Sequence, residues 1–146
     1  MLFRSARVFR EATAGRAIHA AVLNAGVSYF GHGLDLAFED FEKMLATNVT
    51  SVVYLTQRFL QHQIDVGAGG ASMIVSSVAG TLPTTYQAAY SGTKAFLNNY
   101  GLALGEEVSD RGVSLTVFVP GGIATEMGEK TGTGRKFKKE IGRAHV

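Results

Sequence analysis

Three short apolar runs set the architecture of this chain: Ala17–Leu23 (AIHAAVL), Ala71–Ser76 (ASMIVS) and Val113–Val119 (VSLTVFV). Each is too apolar to leave a face in water, and each gives way to a polar or glycine-containing stretch. Between them lie long stretches of helical periodicity. From about Phe38 to Ile64, the apolar residues Phe41, Met44, Leu45, Val49, Val52 and Val53 recur at spacings of three and four, until Gly67-Ala68-Gly69-Gly70 breaks the pattern. A second helix is expected from about Gln87 to Glu107, followed by a turn at Asp110-Arg111-Gly112. Apolar strands alternating with long helices predict an α/β fold, a parallel sheet covered by helices. A further helix, residues 2–16 with Arg4, Arg7 and Arg10 at helical spacing and Gly15 as its stop, precedes the first strand.

Composition removes several classes. The 146 residues are 46% hydrophobic and 18% charged, a balance that fits a soluble domain and argues against wholesale disorder. A chain of this length buries roughly two-thirds of the surface it exposes when unfolded. With no Cys there is neither a disulfide framework nor a thiolate metal site. No apolar run approaches the ~20 residues that span a bilayer. The 18 glycines point to tight turns or close backbone approaches. The net charge of +2 hides an asymmetry: Lys130–Val146 holds six basic side chains against Glu140, a net +5, and the remainder is net −3. The basic character therefore belongs to a tail, and no nucleic-acid face is expected. The arginine-rich start is also similar to a mitochondrial presequence, but a strand follows with no cleavage spacer, which favours a surface helix and a cytoplasmic location.

Tyr90-Ser91-Gly92-Thr93-Lys94 opens the second long helix, placing Tyr90 and Lys94 on one face. A phenol with a pKa of ~10 is a poor proton donor or acceptor at neutral pH, and a neighbouring cation favours its ionised form. By composition alone about 0.2 such pairs arise by chance, so the spacing is weak evidence by itself. Its setting strengthens it. Asn24-Ala25-Gly26, Ser77 and Pro120-Gly121-Gly122-Ile123-Ala124-Thr125 each close a strand, and carboxyl ends of parallel strands are where α/β sheets assemble their sites. Singly, these are a turn, a cap and another turn; in this order they converge on one rim. The four histidines (His19, His32, His62, His145) share no metal-like spacing, so no metal is expected, and His19 is read as a core or rim residue of the first strand.

From Leu23 to about Met127 the chain resembles the catalytic half of a short-chain dehydrogenase/reductase, over about seven-tenths of its length. The Asn-Ala-Gly motif is Asn24-Ala25-Gly26, with Leu23 where the family usually has a second Asn; the helix asparagine is Asn48; the serine is Ser77; Tyr-x-x-x-Lys is Tyr90 and Lys94; and Pro-Gly-x-x-x-Thr is Pro120, Gly121 and Thr125. The resemblance implies a Rossmann-like parallel sheet with flanking helices, spanning residues 1–127 as a partial domain, before a basic tail at 128–146. It implies an NAD- or NADP-dependent oxidoreductase acting on a small carbonyl compound or secondary alcohol. In that scheme Tyr90 is the acid/base, Lys94 lowers its pKa and holds the nicotinamide ribose, Ser77 holds the reacting oxygen, and Asn48 positions a proton-relaying water. Asn24, Ala25 and Gly26 would line the adenosine side. Pro120 and Gly121 would lead into the nicotinamide site, with Ile123 and Thr125 holding the carboxamide. The helices over Asn48–Gln61 and Tyr90–Glu107 would pair in a homo-oligomer when the protein is full length, with small residues Ala95, Gly101, Ala103 and Gly105 allowing close approach. Val78, Thr84, Thr85 and Tyr86 would belong to a partly apolar substrate pocket with Leu82 and Pro83.

One expected element is missing from the sequence. The family's cofactor loop, Thr-Gly-x-x-x-Gly-x-Gly between a strand and a helix, has no match; Gly67-Ala68-Gly69-Gly70 precedes a strand, and Thr131-Gly132-Thr133-Gly134 comes after the last one. By the family pattern the N-terminal strands of the nucleotide-binding half lie upstream, three units of roughly 30 residues each. The first strand is then expected to show an open edge, and the chain alone to bind dinucleotide poorly and turn over little. Glu140–Val146 reads like an in-frame translation of a sequencing adapter, which suggests a non-native end; a genuine basic tail is the alternative. Two other functions stand beside the oxidoreductase: a non-catalytic relative acting as a binding or regulatory protein, and a nucleotide-sugar epimerase or dehydratase, whose relatives share Tyr-x-x-x-Lys.

Overall fold

The computed structural model of the chain describes residues 2–67 and 69–121. The calls at Ile123 and Thr125, the tail at 128–146 and the adapter-like end lie outside the described residues. Strands β1 (Ala20–Leu23), β2 (Gly70–Val75) and β3 (Val113–Phe118) form a parallel sheet in the order β1-β2-β3, so β1 and β3 are its outer strands. The register pairs Leu23 with Ile74 and Ile74 with Val117, which sets Ile74 at the centre of the sheet with no exposed surface. The connecting helices are α1 (Leu2–Thr13), α2 (Phe38–Leu45), α3 (Ser51–Val66) and α4 (Ala88–Glu107).

The helices lie against one face of the sheet. On that side Ala21, Leu23, Ile74 and Val113 are buried, and Val52 and Phe59 of α3 and Leu97 of α4 close the core over them. Side chains of this size stabilise by about 1.5–3 kcal/mol each when fully buried. The alternate side chains face the other way: Val22 is 63% exposed, and Ser114, Thr116 and Phe118 are exposed too. The arginine-bearing N-terminal helix docks on α3 through Phe9, whose ring meets Phe59 edge-on at 5.3 Å, so it is an integral surface helix. No described helix is long and apolar enough to cross a membrane.

Three expectations need correction. The first strand begins at Ala20, and His19 precedes it, exposed, with its carbonyl accepting from Ala71 N at 2.9 Å. The histidine that organises this entry is His62, whose Nε2 accepts from Ile18 N at 3.1 Å. The single helix expected over Phe38–Ile64 is interrupted by a π-turn at Ala46–Thr50. That wider turn rotates the residues after it and carries the polar Asn48 into the interior, a shift that apolar spacing alone conceals. Finally, Gly101 and Gly105 do not serve a partner helix: a Cβ on Gly101 would collide with Val117, and one on Gly105 would lie 3.1 Å from the Leu115 carbonyl oxygen. Both glycines let α4 settle onto β3.

Candidate active site

The carboxyl ends of the three strands meet on one rim, as the order of the motifs predicts. Beyond the strands proper, Ser76 N donates to Phe118 O at 2.8 Å and Val78 N to Pro120 O at 2.9 Å. These two bonds carry the ladder past the end of the sheet and tie the Ser77 segment to the Pro120-Gly121 segment. From β1 the chain passes through exposed Asn24 and Ala25 to Gly26, which is half-buried. A Cβ on Gly26 would sit 3.5 Å from Asn48 Oδ1 and 3.6 Å from Lys94 Nζ, so the backbone here touches both residues.

Lys94 is the most constrained cation of the described chain. It is 4% exposed, and its Nζ donates to the Val75 carbonyl at 2.9 Å. Ser76 Oγ donates to the Lys94 carbonyl at 3.1 Å. On the same side Gly80 presses on the helix so closely that a Cβ there would fall 2.5 Å from the Lys94 carbonyl carbon. Burial penalises the charged form and lowers the Lys94 pKa from its ordinary 10.5. The ammonium lies 5.8 Å from the centre of the Tyr90 ring, within the range where a cation interacts with an aromatic face. Tyr90 and Lys94 thus share one face of α4, as their spacing predicts.

Asn48 is wholly buried and held on three sides. Its Oδ1 accepts from Val27 N at 2.8 Å, and its Nδ2 donates to Val27 O at 2.8 Å and to Thr93 Oγ1 at 3.1 Å. Thr93 Oγ1 in turn donates to the Tyr90 carbonyl at 2.7 Å. The amide therefore locks the segment after β1 to the first turn of α4, and its side chain is committed to protein partners. Ser77, extended at φ −164°, accepts from Ala79 N at 3.1 Å and caps the short 3₁₀ turn Val78–Gly80. Its hydroxyl hydrogen stays available to a neighbouring oxygen, so capping and substrate contact are compatible.

The sequence profile of the short chain dehydrogenase family matches residues 6–136. The chain belongs to the short-chain dehydrogenases. Among its relatives, dehydrogenase/reductase SDR family member 7B of Danio rerio is 35% identical over 115 residues, covering 77% of this chain and 37% of that protein. The NADPH-dependent 1-acyldihydroxyacetone phosphate reductase of Schizosaccharomyces pombe is 32% identical over 113 residues, covering 77% of this chain and 38% of that one. A short-chain type dehydrogenase/reductase from Mycobacterium marinum superposes with a TM-score of 0.83 at 25% identity, over 93% of this chain and 55% of that structure. The short-chain dehydrogenase of Sphingobium yanoikuyae, solved with NADPH, gives a TM-score of 0.80 at 25% identity, over 88% and 50%. This short-chain dehydrogenase thus spans well under two-thirds of those relatives' lengths.

Of the residues singled out in the sequence, Gly26, Asn48, Tyr90 and Lys94 are brought into one contact set, and Ser77, Pro120 and Gly121 stand on the adjoining strand ends. Asn24 and Ala25 face outward and touch none of them in the contacts above. Sequence reasoning overlooked Val27, Thr93 and Gly80. Thr93 carried a local signal, a small hydroxyl three residues after Tyr90 on the same helix. Val27 carried none, because only its backbone is used.

Proposed function

We propose that this short-chain dehydrogenase chain carries the acid–base centre of an NAD(P)-dependent oxidoreductase that interconverts a carbonyl compound and a secondary alcohol. The observation that supports this best is the buried Lys94 ammonium 5.8 Å from the Tyr90 ring, on a helix tied to the end of β2 and, through Asn48, to the segment after β1. The arrangement suits the nicotinamide end of a dinucleotide: Gly26 leaves open a space that a Cβ would fill beside Asn48 and Lys94. Lys94 would hold the ribose, with Asn24, Ala25 and Gly26 along the adenosine side. Pro120 and Gly121 would border the nicotinamide, and Ile123 and Thr125, outside the described residues, would hold its carboxamide. When bound, the nicotinamide supplies or accepts the hydride.

The chain's own residues handle the proton. Tyr90 gives its phenolic proton to the substrate oxygen in reduction and takes it back in oxidation. A cation beside the phenol stabilises the phenolate, which brings the transfer within reach of neutral pH. Ser77 donates to the same oxygen and orients it. Asn48, through Val27 and Thr93, keeps the segment after β1 and the helix bearing Tyr90 at a constant separation. The decisive experiment measures ketone reduction by the 146-residue chain at saturating cofactor, beside Tyr90→Phe. Slow turnover that falls by about 10²–10⁴-fold in Tyr90→Phe is expected, the range for loss of a general acid. An unchanged rate in Tyr90→Phe overturns the assignment.

A further inference from the structure

Among the described residues Tyr86 alone combines a side chain with positive φ, at 63°. A left-handed backbone is costly for a bulky residue, and glycine would adopt it freely. Strain of this kind persists where surrounding structure enforces it, and it concentrates at ligand sites. Two restraints hold Tyr86. Gly31 N donates to its carbonyl at 2.9 Å. Its ring packs against Phe30 at 5.9 Å, tilted by 44°, and against His32 at 5.0 Å, edge-on at 89°.

The position of this trio matters more than its packing. Tyr86 lies four residues before Tyr90, immediately ahead of the Gln87 cap of α4. Phe30 and His32 continue the segment that Asn48 clamps at Val27. Both arms of the trio are therefore tethered to the acid–base centre. Packing does not consume the rings: Tyr86 remains 45% exposed and Phe30 40%. Val78, next to Ser77, adds an exposed apolar neighbour on the rim.

We propose that Tyr86, with Phe30 and His32, forms an aromatic wall that binds the aryl group of a ketone or secondary alcohol presented to Tyr90. The proposal rests on the oxidoreductase reading and names its substrate class. Rings offering both faces and edges reward an aryl ligand with offset and edge-to-face contacts, whereas an alkyl chain gains only buried area.

The test uses the full chain, with acetophenone and 2-pentanone as probes, their binding followed by ligand-observed NMR and their reduction by NADPH or NADH consumption. Tyr86→Gly tolerates the left-handed backbone, and Tyr86→Phe keeps the ring. The wild-type chain and Tyr86→Phe should prefer acetophenone, and Tyr86→Gly should lose about tenfold in acetophenone affinity with a distinctly smaller loss for 2-pentanone. Undiminished acetophenone binding in Tyr86→Gly, or equal loss for both ketones, overturns the aromatic wall. Turnover with an aryl preference that ignores Tyr86 overturns the wall and leaves the oxidoreductase standing. Tyr86-dependent aryl binding with a turnover that Tyr90→Phe leaves unchanged does the reverse: it supports the wall and removes the oxidoreductase reading.

Discussion

Lys94 shows how one side chain joins stability to chemistry. Its ammonium is buried against the Val75 carbonyl, and that desolvation lowers its pKa below 10.5. The folded chain therefore releases this proton at a lower pH than the unfolded chain does. Between the two values the unfolded state binds more protons, so stability rises with pH across that alkaline window. Below the lowered pKa the cost of burying the charge is felt in full. Urea unfolding of the wild type and Lys94→Met, followed from neutral pH up to about 10.5, should show their difference shifting in favour of the wild type as the pH rises. A pH-independent difference would mean that the ammonium is not desolvated. The Tyr90–Lys94 pairing was legible from spacing because residues four apart on a helix share a face whatever surrounds them. The partners that immobilise Lys94 were not, since Val75, Ser76 and Gly80 reach it through backbone atoms and close approach rather than through side-chain type.

At the level of elements, the π-turn and α4 carry the site. A regular helix through residues 46–50 would keep the phase of the preceding turns; the π-turn changes it and turns Asn48 inward. Helix α4 meets the sheet through Gly101, while Gly92 on the same helix is exposed with nothing within 4 Å of a Cβ. The two glycines should therefore respond oppositely to alanine. Gly92→Ala should stabilise by about 0.5–1 kcal/mol through helix propensity. Gly101→Ala should destabilise by about 1–2 kcal/mol, because overpacking against the stiff Val117 side chain exceeds the propensity gain. Thermal unfolding of both variants reads the signs directly; the same sign for both would refute the close approach. Sequence periodicity located α4 within a residue, yet it assigned Gly101 and Gly105 to the wrong neighbour, because smallness records that something comes close without recording what.

Over the whole molecule, the described sheet has three strands with helices on one face, and the glycines at 67–70 end α3 before β2: Gly67 is its left-handed cap. They follow a helix, so they cannot form a strand-to-helix loop cradling a pyrophosphate at a helix N-terminus. Among the described residues no loop of the rim supplies that cradle. Calorimetric titration of the purified chain with NADPH and NADH should accordingly give affinities weaker than about micromolar; a micromolar constant would show that the chain holds the whole dinucleotide. Taken as a string of residues, the chain already specifies alternating helices and apolar strands, the order of polar strand ends and the Tyr90–Lys94 face. All of these follow from near-neighbour geometry. The clamp of Asn48 on Val27 and Thr93, 21 and 45 residues apart, the left-handed Tyr86 between rings of a distant loop, and the one-sided cover of the sheet arise only when elements pack. Packing brings together backbone groups and ring faces whose identity carries no local pattern.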